Sequence, residues 1–555
     1  MTDKRQTGWN RRAALVAGTA AATGLGYLAF KPGKTTPRHA PLERGTLYRG
    51  NAAEPDTLDP ALAQGNAEDL IMGDMLTGLL VNGKTAEPVP GMATSWTTSP
   101  DGLVWTFKLR DAQWSDGAPV TAEDFIFSWR RILDPKMASP YAYFLYPLKN
   151  AKPVNSGKMP GTDLGVRALD PHTLELTLEH PVPYLLEMLT HMTMYPEPRH
   201  VVAAKGKEWT RPGNYVGNGA FTLAEWVPND HITLVKNPRF FDAANVALEK
   251  VIYFPTTDYG TALRQFRAGE LDIQERYPVA QVAWIKAHMA DMINPVPQLI
   301  TEFITVNTKR KPLDDIRVRT AINLTINREM YVQKITRGGE IPAYGLVPPN
   351  VANYPGGQVL DFKRMPAPDR VKRAEQLMRE AGFGPNNKVH LTYALRSTAP
   401  GASRAWAAAL QQALAVIHID MTILPFDSAV FYANLNIHDY DLAQAGWVGD
   451  FNDASTFLEL FVTGGGGNWG EYSNPSFDAL LEEGHHLTDL AARGQKLAEA
   501  EAVLLKDHAF LPLFFWVSAE LKRPYVKGWE GNNRDIHRSR WVSIDEAARA
   551  AVVPI

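Results

Sequence analysis

The chain has 555 residues, of which 45% are hydrophobic and 21% charged, and its formal net charge is −3. That length exceeds what one hydrophobic core usually supports, so we expect two or more domains, and the near-neutral charge indicates no nucleic-acid partner. The absence of cysteine excludes disulfides, thiolate metal sites, iron–sulfur ligation, a cysteine nucleophile and a lipid-modified N-terminal cysteine. Glycine and proline are frequent but scattered, which predicts many turns and argues against a helical bundle.

The first 41 residues are typical of an export signal. Four basic residues precede an uncharged run, Ala13–Phe30, after which the chain becomes polar and proline-rich. The adjacent Arg11 and Arg12 favour the twin-arginine route of export. An uncleaved membrane anchor is the alternative, because the uncharged run approaches the ~20 residues that span a bilayer and no clear cleavage site follows. On either interpretation we expect the body of the chain outside the cytoplasm, in the periplasm.

The next part of the chain alternates short strands with turns. A strand from Gly45 leads into a helix from Ala67, and the stretch Ala93–Pro135 contains turn sequences on both sides of an alternating strand. At the end of that stretch, Thr121 is predicted to cap a helix in which Asp124 is the third residue. Further short strands follow as far as Val251.

The second half of the chain alternates strands and helices. From Phe303 onward the sequence predicts a strand, two amphipathic helices, a charged helix near Asp369, the strand VHLTYAL, a helix and the strand MTILPF. This alternation is typical of an open sheet covered by helices. We therefore predict a mixed α/β protein with at least two lobes.

Motifs of enzymes are missing from the sequence. It contains no G-x-S-x-G elbow, H-E-x-x-H helix, P-loop or G-x-G-x-x-G. The adjacent His485 and His486 chelate a metal poorly, because neighbours on a helix point about 100° apart. We therefore expect neither an enzyme nor a metal or cofactor site.

The stretch Asp441–Leu460 has features of a ligand site. Gly446 and Gly449 bracket Trp447, and Asp450 follows, without any lysine or arginine in the stretch. A carboxylate beside an aromatic ring and bare backbone is a plausible receptor for a cation, since charge-assisted hydrogen bonds are about twice as strong as neutral ones. The alternative is a surface turn with solvated acidic side chains.

The stretch Ala93–Pro135 resembles a signature of the OppA-like oligopeptide-binding proteins of ABC importers, which are family 5 extracellular solute-binding proteins. The resemblance continues, in the order of that family, over nearly the whole chain from Gly45. It is carried by SPYAYF at Ser139, PVPYLLEML at Pro181, GNYVGNGAFTLAEWV at Gly213, DDIRVRTAINLTINRE at Asp314, IPAYGLVPP at Ile341 and AGWVGDFNDASTFL at Ala445.

The resemblance implies the two-lobed periplasmic-binding-protein fold, of the α/β class with mixed sheets and an extra inserted subdomain. In that fold the lobes hinge shut around a peptide, and the closed protein, expected to be a monomer, then docks on a membrane permease. The implied organisation is an export signal at 1–41, lobe I at 45–76, 201–301 and 518–555, the inserted subdomain at 77–200, and lobe II at 302–517.

The resemblance also implies which residues hold the peptide. Asp450 matches an aspartate that pairs with the α-ammonium of the peptide. Gly446 and Trp447 match a segment that meets the peptide backbone as an added strand, a mode in which main-chain hydrogen bonds give affinity for many sequences. The remaining matches line the cleft: Gln64, Gly65 and Asn66 on the facing lobe, Tyr141, and Trp516, which stands where a tyrosine is common.

Three positions depart from the family. Cationic residues that reach peptide carboxylates are replaced by Gln444, Thr336 and Ala399. We therefore hypothesise that the protein does not select short peptides by a free C-terminal carboxylate, although nearby arginines could substitute: Arg337, Arg396 and Arg404. The alternatives are binding of a murein peptide, a nickel chelate or an oligosaccharide on the same fold, or a periplasmic peptidase.

Overall fold

The computed structural model describes residues 42–397 and 401–551. All of these belong to one compact unit, Leu42–Ile555. The predicted export signal and Ala399 lie outside the described residues. Among those that are described, no helix combines the length and the apolar character that crossing a membrane requires.

The first of two six-stranded sheets is built from both ends of the chain. Its N-terminal strand Thr46–Gly50 is buried throughout and runs parallel to Lys250–Phe254. Burial on both faces agrees with its central position in the sheet, although its sequence, TLYRG, is not continuously apolar. In spatial order the strands are Leu521–Lys522, Ile273–Gln274, Thr46–Gly50, Lys250–Phe254, His231–Lys236 and Phe221–Val227.

The second six-stranded sheet is formed by the part of the chain predicted to alternate strands and helices. Val389–Arg396 and Ile419–Phe426 pair in parallel, and the helix Gly401–Val416 makes the crossover between them. In spatial order the strands are Ile341–Pro342, Phe510–Val517, Pro297–Val306, Leu442–Val448, Val389–Arg396 and Ile419–Phe426. The predicted α/β class is confirmed.

A four-stranded antiparallel sheet accounts for the hairpin-rich stretch. Its order is Ala93–Thr98, Val104–Leu109, Thr173–Thr177 and Val166–Asp170. The following helix, Ala122–Leu133, begins with the predicted cap, because the Thr121 backbone N–H donates to the Asp124 carboxylate at 2.8 Å. Two small antiparallel pairs complete the strands, Leu80–Asn82 with Pro88–Pro90 and Val526–Lys527 with Ser543–Ile544.

The other helices are mostly short and lie on the faces and edges of these sheets. Those of nine or more residues are Asn66–Met75, Tyr259–Arg267, Ile316–Thr325, Ala367–Glu380, Ser428–Asn436, Pro475–His486 and Leu490–Lys506. The shorter ones are Ala151–Asn155, Leu185–Met188, Arg199–Lys205, Val282–His288, Arg328–Met330, Ser455–Leu458 and Glu546–Ala550, and a π-helical turn spans Tyr331–Thr336.

Two large hydrophobic cores divide the molecule. One contains the first six-stranded sheet together with the four-stranded sheet, so that Leu47 and Trp129 belong to the same cluster. The other surrounds the second six-stranded sheet and runs from Leu299 to Phe514. We call the parts around these cores the first lobe and the second lobe. The residue boundaries predicted for the lobes and the inserted subdomain stay a prediction.

Candidate ligand-binding cleft

A cavity of about 340 Å³ is lined by residues of both lobes. The first lobe contributes Gln64, Gly65, Asn66 and Tyr141, and the second lobe contributes Asp450 at the end of a central strand. These residues are up to 386 positions apart (450 − 64) and were grouped on the sequence only through the resemblance. The fold brings all five to one cavity.

A second cavity, of about 360 Å³, adjoins the first. Both are lined by Asn66, Arg276, Ile300 and Val448, which makes them two parts of one cleft. The second cavity is also lined by the other predicted site residues: Gln444, Gly446, Trp447 and Trp516. All nine residues predicted to contact the ligand therefore line this cleft.

The strand Leu442–Val448 presents an unpaired edge to the cleft. On one side it pairs with Pro297–Val306 along its whole length. On the other side, within the described ranges, only Leu442 and Ala443 have partners, in the strand Val389–Arg396. From Gln444 onward the backbone groups of that edge have no strand beside them. Such an edge is a template for another extended chain.

The turn after this strand holds Asp450 close to the sheet. The Gly449 N–H donates to the Leu299 carbonyl at 2.7 Å, and a Cβ at Gly449 would lie 3.2 Å from both Phe457 and Thr456. Glycine is needed because of this close approach rather than for an unusual backbone angle. The Thr456 hydroxyl accepts hydrogen bonds at 3.2 Å from both the Asp450 N–H and the Trp447 indole.

The Asp450 carboxylate has no cationic partner within 4 Å among the described residues. Arg534 is a positively charged residue that acts on this carboxylate electrostatically. Its guanidinium, however, donates to the Asp450 backbone carbonyl at 3.5 Å and to the Thr190 hydroxyl at 3.0 Å. Burial raises the pKa of Asp450 to about 6, an effect that Arg534 opposes and Glu459 reinforces. A desolvated carboxylate without a counter-ion is stabilised when a cation binds beside it.

Aromatic side chains form the wall of the first cavity opposite Asp450. The Tyr141 ring stacks on Tyr143 at 5.5 Å between ring centroids and lies 5.2 Å from the His191 ring. Burial first, and then the charge of Asp450, raise the pKa of both tyrosines, which shows that both lie within electrostatic reach of that carboxylate. Tyr143 was not predicted from the sequence, although it lies two residues from Tyr141.

The floor of the second cavity carries a second carboxylate, Glu302, that the sequence analysis missed. Glu302 lies opposite Gly446 in the sheet, and it accepts hydrogen bonds at 3.4 Å from the Gln444 amide and the Trp516 indole. Burial raises the pKa of Glu302 to about 7, and the hydrogen bonds and Arg396 oppose that rise. The available signal was that Glu302 is the single charged residue of the strand Pro297–Val306.

The residues at the positions that depart from the family lie in different parts of the structure. Gln444 lines the second cavity, whereas the Thr336 hydroxyl is buried and donates to Glu340 at 2.7 Å, away from either cavity. Of the three arginines close in sequence, Arg396 lines the second cavity. Arg276, which the sequence analysis did not single out, lines both.

One group in the described chain has the composition of a metal site: Glu520, Asp535 and His537. The His537 Nε2 lies 3.4 Å from Asp535 and 3.7 Å from Glu520, and the Trp529 indole donates to Glu520 at 3.0 Å. A single imidazole N–H shared between two carboxylates accounts for this arrangement. We therefore assign no metal to it.

Comparison with known proteins identifies the family. Residues 87–469 match the model of bacterial extracellular solute-binding proteins, family 5, middle region. The chain belongs to this family of solute-binding proteins. The resemblance inferred from the sequence motifs is thereby confirmed.

Several family 5 relatives cover nearly the whole chain. The periplasmic oligopeptide-binding protein OppA of Escherichia coli is 35% identical over 95% of this chain and 97% of its own length. The periplasmic murein peptide-binding protein MppA of the same organism is 33% identical over 90% of this chain and 94% of its own length. A probable deoxycholate-binding periplasmic protein, YgiS, also of Escherichia coli, is 33% identical over 90% and 93% of the two chains.

Solved structures of the family share the two-lobed fold. The unliganded open form of MppA matches with a TM-score of 0.81 and 33% identity, over 91% of this chain and 98% of that one. OppA of Haemophilus influenzae in complex with the peptide RPPGFSPFR matches with a TM-score of 0.75 and 31% identity, over 91% and 99%. The predicted fold is confirmed.

Proposed function

We propose that this family 5 protein is the extracytoplasmic peptide-binding component of an ABC importer. It captures oligopeptides by their backbone and N-terminal amine and delivers them to a membrane permease. The observation that carries the proposal is an unpaired strand edge that ends at an unpaired carboxylate, inside a cleft between two lobes.

The strand edge provides affinity that does not depend on the side chains of the peptide. A peptide that lies along Gln444–Val448 as an added strand would satisfy backbone groups that have no partner in the sheet. Gln64, Gly65 and Asn66 line the opposite wall, at the start of the helix Asn66–Met75, and would enclose that peptide from the first lobe. Backbone pairing of this kind suits a protein that binds peptides of many different sequences.

Asp450 sets the direction of the bound peptide. The α-ammonium of a peptide remains protonated up to pH about 8, so it offers a full positive charge to this carboxylate at neutral pH. The half-buried Tyr141 lines the same cavity and reduces the access of water to it, which strengthens the charge-assisted bond. Reversal of the peptide would leave its carboxylate facing Asp450, a repulsive arrangement.

Murein peptide is the second candidate ligand. It is favoured by the similarity to MppA, which is 33% identical and whose open form has a TM-score of 0.81 with this chain. The same strand edge and carboxylate would hold its backbone and amine. Direct competition between a murein tripeptide and tetra-alanine distinguishes the two candidates by relative affinity.

The relatives also support the setting of this function. OppA and MppA are described as periplasmic, and we propose the same location for this chain, with export directed by its N-terminal segment through the twin-arginine route. We further propose that it acts as a monomer, that an uncleaved signal would keep it at the membrane, and that it is not an enzyme. Peptides incubated with it should therefore be recovered uncut.

The decisive variant is Asp450→Asn, measured by calorimetry with tetra-alanine. We expect the dissociation constant to rise at least 30-fold, because loss of the negative charge from a desolvated carboxylate removes a net attraction to the ammonium of about 2 kcal/mol or more. N-acetylated tetra-alanine should bind both proteins equally weakly, since it lacks the ammonium.

The matched control is Asp111→Asn, whose carboxylate is 97% exposed. This variant should bind tetra-alanine like the parent protein. Tight binding of tetra-alanine by Asp450→Asn, or of the acetylated peptide by the parent, would contradict the role of Asp450.

A further inference from the structure

Two acceptor side chains on the floor of the second cavity, Gln444 and Glu302, are poorly supplied with hydrogen-bond donors among the described residues. Gln444 is only 5% exposed, and its Oε1 has no donor in the part of the chain that the structure describes. Next to it, Glu302 receives only two long hydrogen bonds, both of 3.4 Å, and takes part in no ion pair within 4 Å among the same residues. A buried acceptor without a donor costs about 1–3 kcal/mol, so this floor is stabilised by a ligand that donates.

The walls of this cavity are aromatic. Trp447, Trp516, Trp469, Phe431 and Tyr432 all line it. Aromatic faces accommodate an alkyl chain and attract a cation at its end, by roughly 0.5–2 kcal/mol for each favourable contact. A long apolar stem that ends in a positive charge therefore matches both the walls and the floor.

Two arginines share the cavity, and their positions decide whether it favours an anion instead. Arg396 donates to the Tyr432 hydroxyl at 3.4 Å in an exposed hydrogen bond, and the Arg276 guanidinium lies 5.6 Å from the centre of the Trp516 ring. Both are only partly buried, so their charges are screened by water and their side chains can move aside. The Glu302 side chain is instead held by hydrogen bonds from the neighbouring Gln444 amide and the Trp516 indole.

We propose that the second cavity is a specificity pocket for a basic side chain of the bound peptide, lysine or arginine, and that Glu302 selects it. The proposal rests on the proposed function, since the peptide backbone must first lie along the edge of Leu442–Val448. Gln444 belongs to the same pocket. Its amide oxygen adds a second acceptor at a position where the family resemblance implies a cationic residue.

Binding of a basic side chain is coupled to loss of a proton. The pKa of Glu302 is raised to about 7, chiefly by burial, so about half of the free protein carries the neutral acid at pH 7. The groups around it are Gln444 and Trp516, which donate, Arg396 and Arg276, which are positive, and Tyr393, whose own pKa is raised by burial and then by Glu302. An incoming ammonium favours the carboxylate, and the acid must release its proton.

The test uses tetra-alanine and its variants with lysine, norleucine or glutamate at positions 2, 3 and 4, measured by calorimetry. At one position we expect lysine to bind at least 10-fold more tightly than norleucine, its uncharged counterpart, and glutamate to bind more weakly than norleucine. In Glu302→Gln the preference for lysine over norleucine should fall below threefold. Measurable binding of the norleucine peptide shows that the variant is folded.

Two further measurements make the assignment specific. Glu123→Gln, which alters an exposed residue of the first lobe, should keep the lysine preference. Calorimetry at pH 6.5 in buffers of different ionisation enthalpy should detect proton release on binding of the lysine peptide to the parent protein but not to Glu302→Gln.

The possible outcomes separate this inference from the proposed function. If tetra-alanine does not bind, both fail. If tetra-alanine binds but lysine and norleucine are equal at every position, or glutamate is preferred because the arginines dominate, only the assignment of Glu302 is overturned. A lysine preference that survives in Glu302→Gln overturns it as well.

Discussion

At the scale of single residues, the cleft combines two carboxylates that have no counter-ion. Asp450 and Glu302 both have pKa values raised by burial, to about 6 and about 7. Neither has a cation within 4 Å among the described residues, unlike the buried Asp453, which pairs with Arg493. Uncompensated buried charge is destabilising, so its presence at two points of one cleft indicates sites for cationic groups of a ligand.

The pKa of Asp450 predicts how binding depends on pH. Tetra-alanine should bind with constant affinity between pH 7 and 7.5, and its affinity should fall by up to tenfold for each pH unit below about 6, because the neutral acid does not pair with the ammonium. Calorimetry from pH 4.5 to 7.5 measures this profile. Asp450→Asn should show no such fall, and a flat profile for the parent protein would contradict the assignment.

The raised pKa of Asp450 affects the stability of the fold in the direction opposite to its effect on peptide affinity. The folded protein holds the pKa of Asp450 above its ordinary value, so the neutral acid is favoured by folding and this contribution is lost as the pH rises through about 6. Asp450→Asn should therefore leave the free energy of unfolding unchanged or raise it by at most about 3 kcal/mol at pH 7.5. A binding defect in this variant cannot then be ascribed to unfolding.

At the scale of elements, the strand Leu442–Val448 and the turn after it present the ligand groups. The strand is anchored on one side by Pro297–Val306, which keeps the other edge straight and accessible. The turn packs so closely that Gly449 lies against Leu299, Thr456 and Phe457. The position of Asp450 thus depends on this close packing together with the backbone hydrogen bonds of Asp450 to Thr456 and Arg534.

Substitution at this turn tests that dependence. Gly449→Ala should lower the free energy of unfolding by roughly 1–2 kcal/mol, because the added methyl group overpacks a site with 3.2–3.3 Å contacts. It should also weaken tetra-alanine binding by displacing Asp450. Urea denaturation and calorimetry measure the two effects.

Gly384→Ala is the control for that substitution. A Cβ there would meet no atom within 4 Å, so neither stability nor binding should change beyond a few tenths of a kcal/mol. If Gly449→Ala also changed neither stability nor binding, the turn would not position Asp450.

At the scale of the whole molecule, contacts that join the lobes lie next to the ligand residues. Phe451, which directly follows Asp450, belongs to the hydrophobic core of the first lobe and stacks on Tyr184 with 4.3 Å between ring centroids. The Arg493 guanidinium lies 5.2 Å from the centre of the same Tyr184 ring. A ligand that binds Asp450 therefore contacts a segment that connects the two lobes.

Ligand-driven closure predicts a measurable change of shape and stability. Saturating tetra-alanine should reduce the radius of gyration measured by small-angle X-ray scattering, because both walls of the cleft contact the peptide. At 100 times the dissociation constant it should also add about 2.7 kcal/mol to the free energy of unfolding. Binding without compaction would show that the lobes do not move, and the parent protein without peptide serves as the unliganded reference.

Features that depend on neighbours along the chain could be predicted without the structure. The cap formed by Thr121 and Asp124, the hairpins after Ala93 and the alternation of strands and helices after Phe303 follow from local propensity and periodicity. The nine residues predicted to contact the ligand were selected through their resemblance to motifs of a family, and all nine line one cleft; their role in binding stays a prediction.

The composition of the second cavity followed instead from sheet register and lobe packing. Glu302 and Gln444 are 142 positions apart and meet because their strands are adjacent in one sheet, and Arg276 joins them from the other lobe. No local pattern encodes such proximity, since register depends on the burial of many side chains at once. For the same reason, the lack of a counter-ion for Asp450 and Glu302 among the described residues could be recognised only from the tertiary structure.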